Sequence, residues 1–364
     1  MGFWQAWLET MVVSPSFWAG RRVLITGHTG FKGAWLALAL NRLGAKVSGY
    51  ALAPEGPDSL FQVAGVEADL EHHVVGDIRD FDSVSAAMAT IRPEIVFHLA
   101  AQALVRPSYD DPVETFDVNV MGTIKVMEAA RAVPGLRAML IVTSDKSYEN
   151  VGQLWGYRET DRMGGHDPYS ASKGAAEIAA EAMRRSFFGQ PGSAAVASVR
   201  AGNVIGGGDW SRDRLVPDIM RGFLAGESVT IRNPDAVRPW QHVLDPVLFY
   251  ILVAQRLCED AQSFSGGWNV GPGPDGEVDV ATLVAELARL WGGDRQWRIE
   301  PSVNKHEAAF LTLDCTKARR LLGWKPALTF DAGLELTSQW YRQWSDGADM
   351  RSVTLAQIAQ VLTP

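Results

Sequence analysis

A doubly wound parallel α/β sheet followed by a smaller lobe is the fold class that this chain predicts. Three observations predict it. Short apolar runs alternate with helical spacings through the first half of the 364 residues, glycines stand where the first run turns into the first helix, and the texture changes after about residue 203. Parallel strands need long crossovers, so strand–helix alternation implies helices on both faces of one sheet.

Taken in order, RRVLITG (21–27) is an apolar run ending in glycine, and FKGAWLALALNRLG (31–44) shifts to helical spacing and closes on Gly44, a C-cap candidate. KVSGYAL (46–52) and HHVVGD (72–77) read as the second and third strands, with a helix over 81–91 before Pro93. EIVFHLAA (94–101), AMLIVTS (138–144) and AAVASVRAGN (194–203) complete the strand series. Beyond it, GGGDW (206–210) is a Gly-rich loop, VPDIMRGFLAG (216–226) a helix, VTIRNPD (229–235) a strand and turn, and 280–292 and 330–345 helices. The division expected is an N-terminal extension over 1–19, poorly ordered or docked, a sheet domain over 20–203, and mainly a substrate lobe over 204–364, from which some segments return to the first domain.

Composition narrows the class. At this length roughly three quarters of the unfolded surface can be buried. A hydrophobic content of 47% with 21% charged residues excludes wholesale disorder. The 34 Lys+Arg against 42 Asp+Glu leave a net charge of -8, which argues against nonspecific nucleic-acid binding. Cys258 and Cys315 are too few for a disulfide scaffold, and the seven histidines show no HxH or HxxxH spacing, so no metal site is expected. The 13 tryptophans are scattered, which suits core packing better than a sugar platform. No apolar run approaches the ~20 residues of a membrane span. The N-terminus carries Glu9 and no basic residue before Arg21, a poor signal peptide, so a soluble cytoplasmic protein is expected.

Gly27-His28-Thr29-Gly30-Phe31-Lys32-Gly33 follows a predicted strand and opens a predicted helix. Glycines at that spacing clear room for a tight turn and let backbone N–H groups reach a pyrophosphate at the helix N-terminus. The context makes this a dinucleotide site, with His28 a loop filler. An acid about 20 residues on would hold the ribose 2′-OH of NAD, and an Arg would take a 2′-phosphate. Gly49-Tyr50-Ala51-Leu52 carries neither. NAD is the cofactor expected, although this position does not decide it. Asp77 and Ile78 border the adenine, or Asp77 caps the next helix.

Tyr169-Ser170-Ala171-Ser172-Lys173 begins a helical run, and residues four apart share one helix face. A cation near a phenol lowers its pKa from ~10 toward neutrality, which makes it a base for an alcohol proton.

With that pair, the chain resembles an extended short-chain dehydrogenase/reductase over residues ~17 to ~330. The resemblance is carried by ITGHTGFKG, GDIRD, FHLAAQ, TSDK, YSASK, RAGNVIGGGDW and RPWQHV. It implies a Rossmann-type NAD-binding domain and a C-terminal sugar-nucleotide lobe. Within the family, GHTGFKG, TSDKSYEN and RAGNVIGGGDW are most similar to the CDP-glucose branch of the sugar-nucleotide 4,6-dehydratases. Ser144-Asp145-Lys146 discriminates: simple epimerases of the family carry only the hydroxyl, whereas dehydratases add an acid and a base. The dTDP-sugar enzymes have Glu where this chain has Lys146.

The roles that the resemblance implies are these. Tyr169 removes the 4-OH proton as C4 gives hydride to NAD, Ser144 bonds the same oxygen, and Lys173 binds the nicotinamide ribose and lowers the Tyr169 pKa. Lys146, unprotonated, takes the C5 proton, and Asp145, protonated, gives one to the departing C6 hydroxyl. Thr26, Phe31 and Lys32 flank the pyrophosphate with Gly27, Gly30 and Gly33, the Leu99-Ala100-Ala101 backbone lies alongside, and Asn119 steadies sheet and site. Asn203, Arg214, Leu215, Val216, Arg232, Arg238 and Asn269 hold the CDP-hexose, the arginines suiting a diphosphate. A homodimer through a four-helix bundle would use ~112–132 and ~168–188 of each subunit. A nucleotide-sugar C4 epimerase or reductase, a 4,6-dehydratase for another nucleotide, and a non-enzymatic NAD-binding protein are the alternatives.

Overall fold

The computed structural model describes residues 13–190, 192–293, 295–300 and 311–362. Seven parallel strands form the central sheet: β1 (Arg22–Thr26), β2 (Lys46–Ala51), β3 (His72–Val75), β4 (Ile95–His98), β5 (Ala138–Val142), β6 (Ala195–Ala201) and β7 (Gly266–Val270). Their order is β3-β2-β1-β4-β5-β6-β7. The chain winds outward from β1 to β3, then restarts at β4 on the other side of β1. The loops after β1 and β4 therefore diverge and open a crevice at the carboxyl ends of the strands.

Alternate residues along each strand feed opposite layers. Val23, Ile25, Ile95, Phe97 and Leu140 pack with helices α1 (Phe31–Arg42) and Leu244–Glu259 on one face. Leu24, Val96, Met139 and Ile141 pack with α2 (Phe81–Ile91), α3 (Thr123–Arg131) and α4 (Pro168–Phe187) on the other. The predicted strands and the helices over 31–44 and 81–91 are all present, and Gly44, at φ +83°, ends α1 as expected.

The seventh strand was not expected. Gly266-Gly267-Trp268-Asn269-Val270 is too short and glycine-rich to present an apolar run. A Cβ on Gly267 would lie 2.6 Å from Arg200 Nη2, so glycine there leaves room for the guanidinium that Glu177 binds. The helix Leu244–Glu259 also lies beyond residue 203 and covers β5 and β6.

The second half otherwise builds the lobe. Leu215–Ala225 leads to Val229–Ile231, which pairs with Trp297–Ile299, and Val237–Pro239 pairs with Glu277–Asp279 before the helix Val280–Trp291. Two further helices follow: Phe330–Ser345 packs on Val280–Trp291, and Met350–Val361 packs on Phe330–Ser345 and back on α1. Arg351 binds both carboxylate oxygens of Asp69 at 2.8 Å and so ties the last helix to the sheet domain. Of the expected N-terminal extension, residues 1–12 lie outside the described residues. Pro15–Trp18 forms one turn, and Trp18 is fully buried against Phe97.

Gly207 shows how tightly the lobe closes on the sheet domain. Its carbonyl accepts Trp35 Nε1 at 3.0 Å, and a Cβ there would stand 1.9 Å from Trp340 Cγ. Gly207→Ala is expected to cost about 2–3 kcal/mol by overpacking, read as a lower urea midpoint with an unchanged slope.

Candidate active site

The crevice is a continuous cleft of about 1880 Å³ running from the end of β2, past β1 and β4, to the lobe. Its floor is a backbone contact. Gly27, at φ +79°, turns the chain out of β1, and a Cβ there would lie 2.7 Å from Ala100 N. A Cβ on Gly33 would lie 2.1 Å from Gly27 O, so α1 starts against the turn that feeds it. Gly30 precedes the helix with no side-chain cap, leaving first-turn N–H groups to face the cleft.

Cations line the same stretch. Burial, then Arg214 and Lys173, push the Lys32 ammonium down to about 8. Mutual repulsion of three cations in a confined cleft is relieved by an anion, and a dinucleotide pyrophosphate at a helix N-terminus fits that need. Gly27, Gly30, Phe31, Lys32, Gly33, Leu99, Ala100 and Ala101 all border the cleft. Thr26 does not: it is fully buried, its hydroxyl 2.7 Å from His98 Nδ1 and accepting from Ala100 N, so it shapes the floor from beneath. Asn119 is also interior. It lies in a π-helical turn, Asp117–Gly122, and donates to Gln102 O and Ser172 Oγ while accepting from Gln102 N, linking the β4 loop to α4.

Asp77 and Ile78, expected beside the adenine, border the cleft. Asp77 binds Arg79 through both oxygens, which holds its carboxyl below the usual range. Asp80 caps α2 instead, accepting from Ser83 N at 3.0 Å. Glu55 and Asp58, on the loop beyond Leu52, also line the cleft. His28 is more than filler. Its Nε2 is 2.7 Å from His73 Nδ1, its ring packs on Phe61, and burial holds it neutral with a pKa lowered to about 3.

The groups expected to react converge midway along the cleft. Ser144 ends the β5 segment, donates to Asp145 Oδ1 at 3.0 Å and accepts from Lys146 N at 3.2 Å, fixing the turn Asp145–Ser147. Asp145 is 2% exposed, and its Oδ2 has no hydrogen-bond partner among the described residues. Burial raises its pKa against Lys146 and Ser144. A buried carboxyl with one idle oxygen favours the protonated form. Lys146 borders the cleft beside it.

Tyr169 and Lys173 sit on α4, whose start is set by Asp167 accepting from Ser170 N and by Pro168 in the first turn. The Ser108 hydroxyl accepts from Tyr169 N at 3.1 Å. The expected lowering of the Tyr169 pKa by Lys173 needs correction. Burial raises it, and the largest opposing influences are the Ser144 hydrogen bond and the Arg214 guanidinium. Lys173 is itself pushed down to about 8 by burial, with Glu177 opposing.

On the lobe side Asn203, Leu215, Val216, Arg214, Arg232 and Arg238 all face the cleft. Arg214 pairs with Asp209 at 3.1 Å, and Arg106 with Asp213 at 2.7 Å across the mouth. Asn269 is not among them. It is fully buried on β7, donating to Tyr157 O and Asp314 O and accepting from Tyr148 OH, so it fastens the lobe connection. Its place on a strand that carried no legible apolar run hid this from the sequence.

The family described as GDP-mannose 4,6 dehydratase matches residues 24–337. The chain is 47% identical over 97% of its length to a CDP-glucose 4,6-dehydratase of Salmonella typhimurium, of which 99% is covered. Among solved structures it is similar to a UDP-glucose 4-epimerase of Thermotoga maritima with UDP-glucose, at a TM-score of 0.78 and 26% identity, covering 88% of this chain and 99% of that one. A UDP-glucose 4-epimerase of Thermus thermophilus in complex with NAD gives 0.74 and 27%, over 88% of this chain and 99% of that one. With the glycine cradle, the Tyr169–Lys173 pair and the Ser144-Asp145-Lys146 turn in one cleft, the chain belongs to the GDP-mannose 4,6 dehydratase family of extended short-chain dehydrogenase/reductases.

Proposed function

We propose that this protein is a CDP-glucose 4,6-dehydratase, an NAD-dependent hydro-lyase that converts CDP-glucose to CDP-4-keto-6-deoxyglucose. The observation that carries the reading is the buried Asp145 carboxyl, with one oxygen free, beside Ser144 and the Tyr169 phenol. An epimerase has no use for a protonated acid there, whereas an elimination needs one. The choice of cytidine rests on the likeness to the Salmonella enzyme.

NAD, which the Gly27–Gly33 loop, Lys32 and Lys173 would hold, would supply reversible hydride transfer between C4 and C6 of the sugar. Tyr169 accepts the 4-OH proton while Ser144 holds the same oxygen. The resulting 4-ketone acidifies the C5 proton, which Lys146 removes as an amine. Asp145 donates to the C6 hydroxyl, which leaves as water. A proton returns to C5 as C6 is reduced, so the net change is loss of one water. Arg214, Arg232 and Arg238 supply fixed donors for the diphosphate.

Exposed apolar side chains support a homodimer through two helices per subunit. Val113 and Met121 lie in the stretch before α3, and Ile178 lies on α4. These elements pack against one another. A charged nucleotide sugar and a dinucleotide point to a cytoplasmic reaction; among the described residues no helix is long and apolar enough to cross a membrane.

Incubation with CDP-glucose in deuterated water is expected to give a product lighter by one water, with deuterium at C5 and no accumulated NADH, as read by mass spectrometry and absorbance. Turnover of dTDP- or GDP-glucose in its place would overturn the nucleotide assignment. Asp145→Asn is expected to lower dehydration about 10²–10⁴-fold while C4 oxidation persists as trapped NADH. Because the protonated acid is the active form and burial raises its pKa, wild-type elimination is expected to fall as pH rises through that pKa, a limb absent from the residual Asp145→Asn activity. Full dehydration by Lys146→Met would reassign the base.

A further inference from the structure

Beneath the reacting groups lies a buried charge pair that the mechanism above does not use. Glu177 stands one turn after Lys173 on α4, and Arg200 lies on β6; both are almost wholly buried. Arg200 Nη2 donates to Glu177 Oε2 at 2.8 Å, Ser198 Oγ donates to the same oxygen at 2.7 Å, and the Thr143 hydroxyl donates to Oε1. Arg200 Nη1 also donates to Tyr148 OH at 2.6 Å, which in turn donates to Asn269 on β7.

Three segments that carry site residues therefore meet at one carboxylate. Thr143 directly precedes Ser144, Arg200 leads to the cleft residues Ala201–Asn203, and α4 holds Tyr169 and Lys173. We propose that Glu177 is a positioning residue of the reaction, whose carboxylate, locked by Arg200, Thr143 and Ser198, stands one helical turn from Lys173 and keeps a compensating negative charge beside it in the buried site. The inference rests on Tyr169 and Lys173 being the pair that oxidises the sugar alcohol.

Other charges do not replace Glu177. Lys32 on α1 faces Lys173 as a like charge, and His98 at the end of β4 faces it held neutral by burial. Asp145 and Asp167 act on Tyr169, as does Arg214. The negative charge one helical turn away is what opposes the burial of Lys173, whose pKa stands at about 8. Arg200, the hydroxyls of Thr143 and Ser198, and their hydrogen bonds in turn hold Glu177 below the ordinary carboxylate range despite its burial. A charged Lys173, with three N–H groups and no lone pair, is a stronger donor to a ribose hydroxyl than the neutral amine.

The test compares Glu177→Gln with the double variant Glu177→Gln/Arg200→Met, which removes the pair without leaving a buried guanidinium unpaired. The first readout is the Nζ resonance of Lys173 in protein labelled with isotopic lysine, assigned with Lys173→Met and titrated without cofactor. Its midpoint is expected to fall by about 1 pH unit in both Glu177 variants and to hold in Glu177→Asp. The second is C4 oxidation of the nucleotide sugar, whose upper pH limb is expected to move down equally, read above the limb as an about tenfold lower kcat with an unchanged KM. An unmoved Lys173 midpoint in a folded variant overturns the proposal and leaves Glu177 a packing group. Failure of the wild-type protein to turn over CDP-glucose overturns the substrate reading alone, since the titration needs no substrate.

Discussion

The site depends on one backbone contact, the approach of the Gly27 turn to Ala100. With a Cβ at Gly27 only 2.7 Å from Ala100 N, the loops after β1 and β4 could not meet at the floor of the crevice. Gly33 adds the second constraint, because α1 can start at the end of β1 only if its first turn lies against Gly27 O. Reversal of winding between β1 and β4 then aims the N-terminus of α1 along the cleft. His28 supports the turn from behind by its bond to His73 on β3. Thr26 and His98 do so from below.

Around that floor the protein concentrates charge that water would otherwise screen. Lys32, Lys173 and Arg214 face the cleft together, an arrangement that favours bound anions and raises the free energy of the empty site. Opposite charges sit at different depths. Asp209 pairs with Arg214 at the wall, while Glu177 and Arg200 form a pair inside the sheet–helix layer. Breaking such a buried pair by removing one partner costs about 3–5 kcal/mol, since the other is left uncompensated. At Asp145 burial outweighs a neighbouring lysine and a hydroxyl and raises the carboxyl pKa.

The two halves of the chain differ in how they reach this cleft. The sheet domain delivers its groups on rigid ends: Ser144 and Asp145 just after β5, Tyr169 and Lys173 on the first turns of α4. The lobe delivers Arg214, Arg232 and Arg238 from loops and short strands, with Asp213 held at a positive φ of 61° beside Arg214. The Arg106–Asp213 pair bridges the two at the mouth.

Local pattern made much of this legible. The alternation of apolar runs and helical spacings specified six strands, most of which are buried on both faces and read as nearly continuous hydrophobic sequence, the edge strand β3 being the exception. The glycine loop, the Tyr169–Lys173 spacing and Ser144-Asp145-Lys146 were legible because backbone approach and helix geometry demand particular residues at particular offsets. The rest depends on contacts between residues distant in sequence. Strand β7 is specified by a glycine that accommodates Arg200, not by an apolar run. Asn269 faces the interior because it satisfies carbonyls at Tyr157 and Asp314. Glu177 carries no signal as one more acid on an amphipathic helix; only the folded chain brings Arg200, Thr143 and Ser198 to it. Periodicity and spacing describe a residue's own element, whereas burial, hydrogen-bond satisfaction and pKa belong to the environment that other elements create.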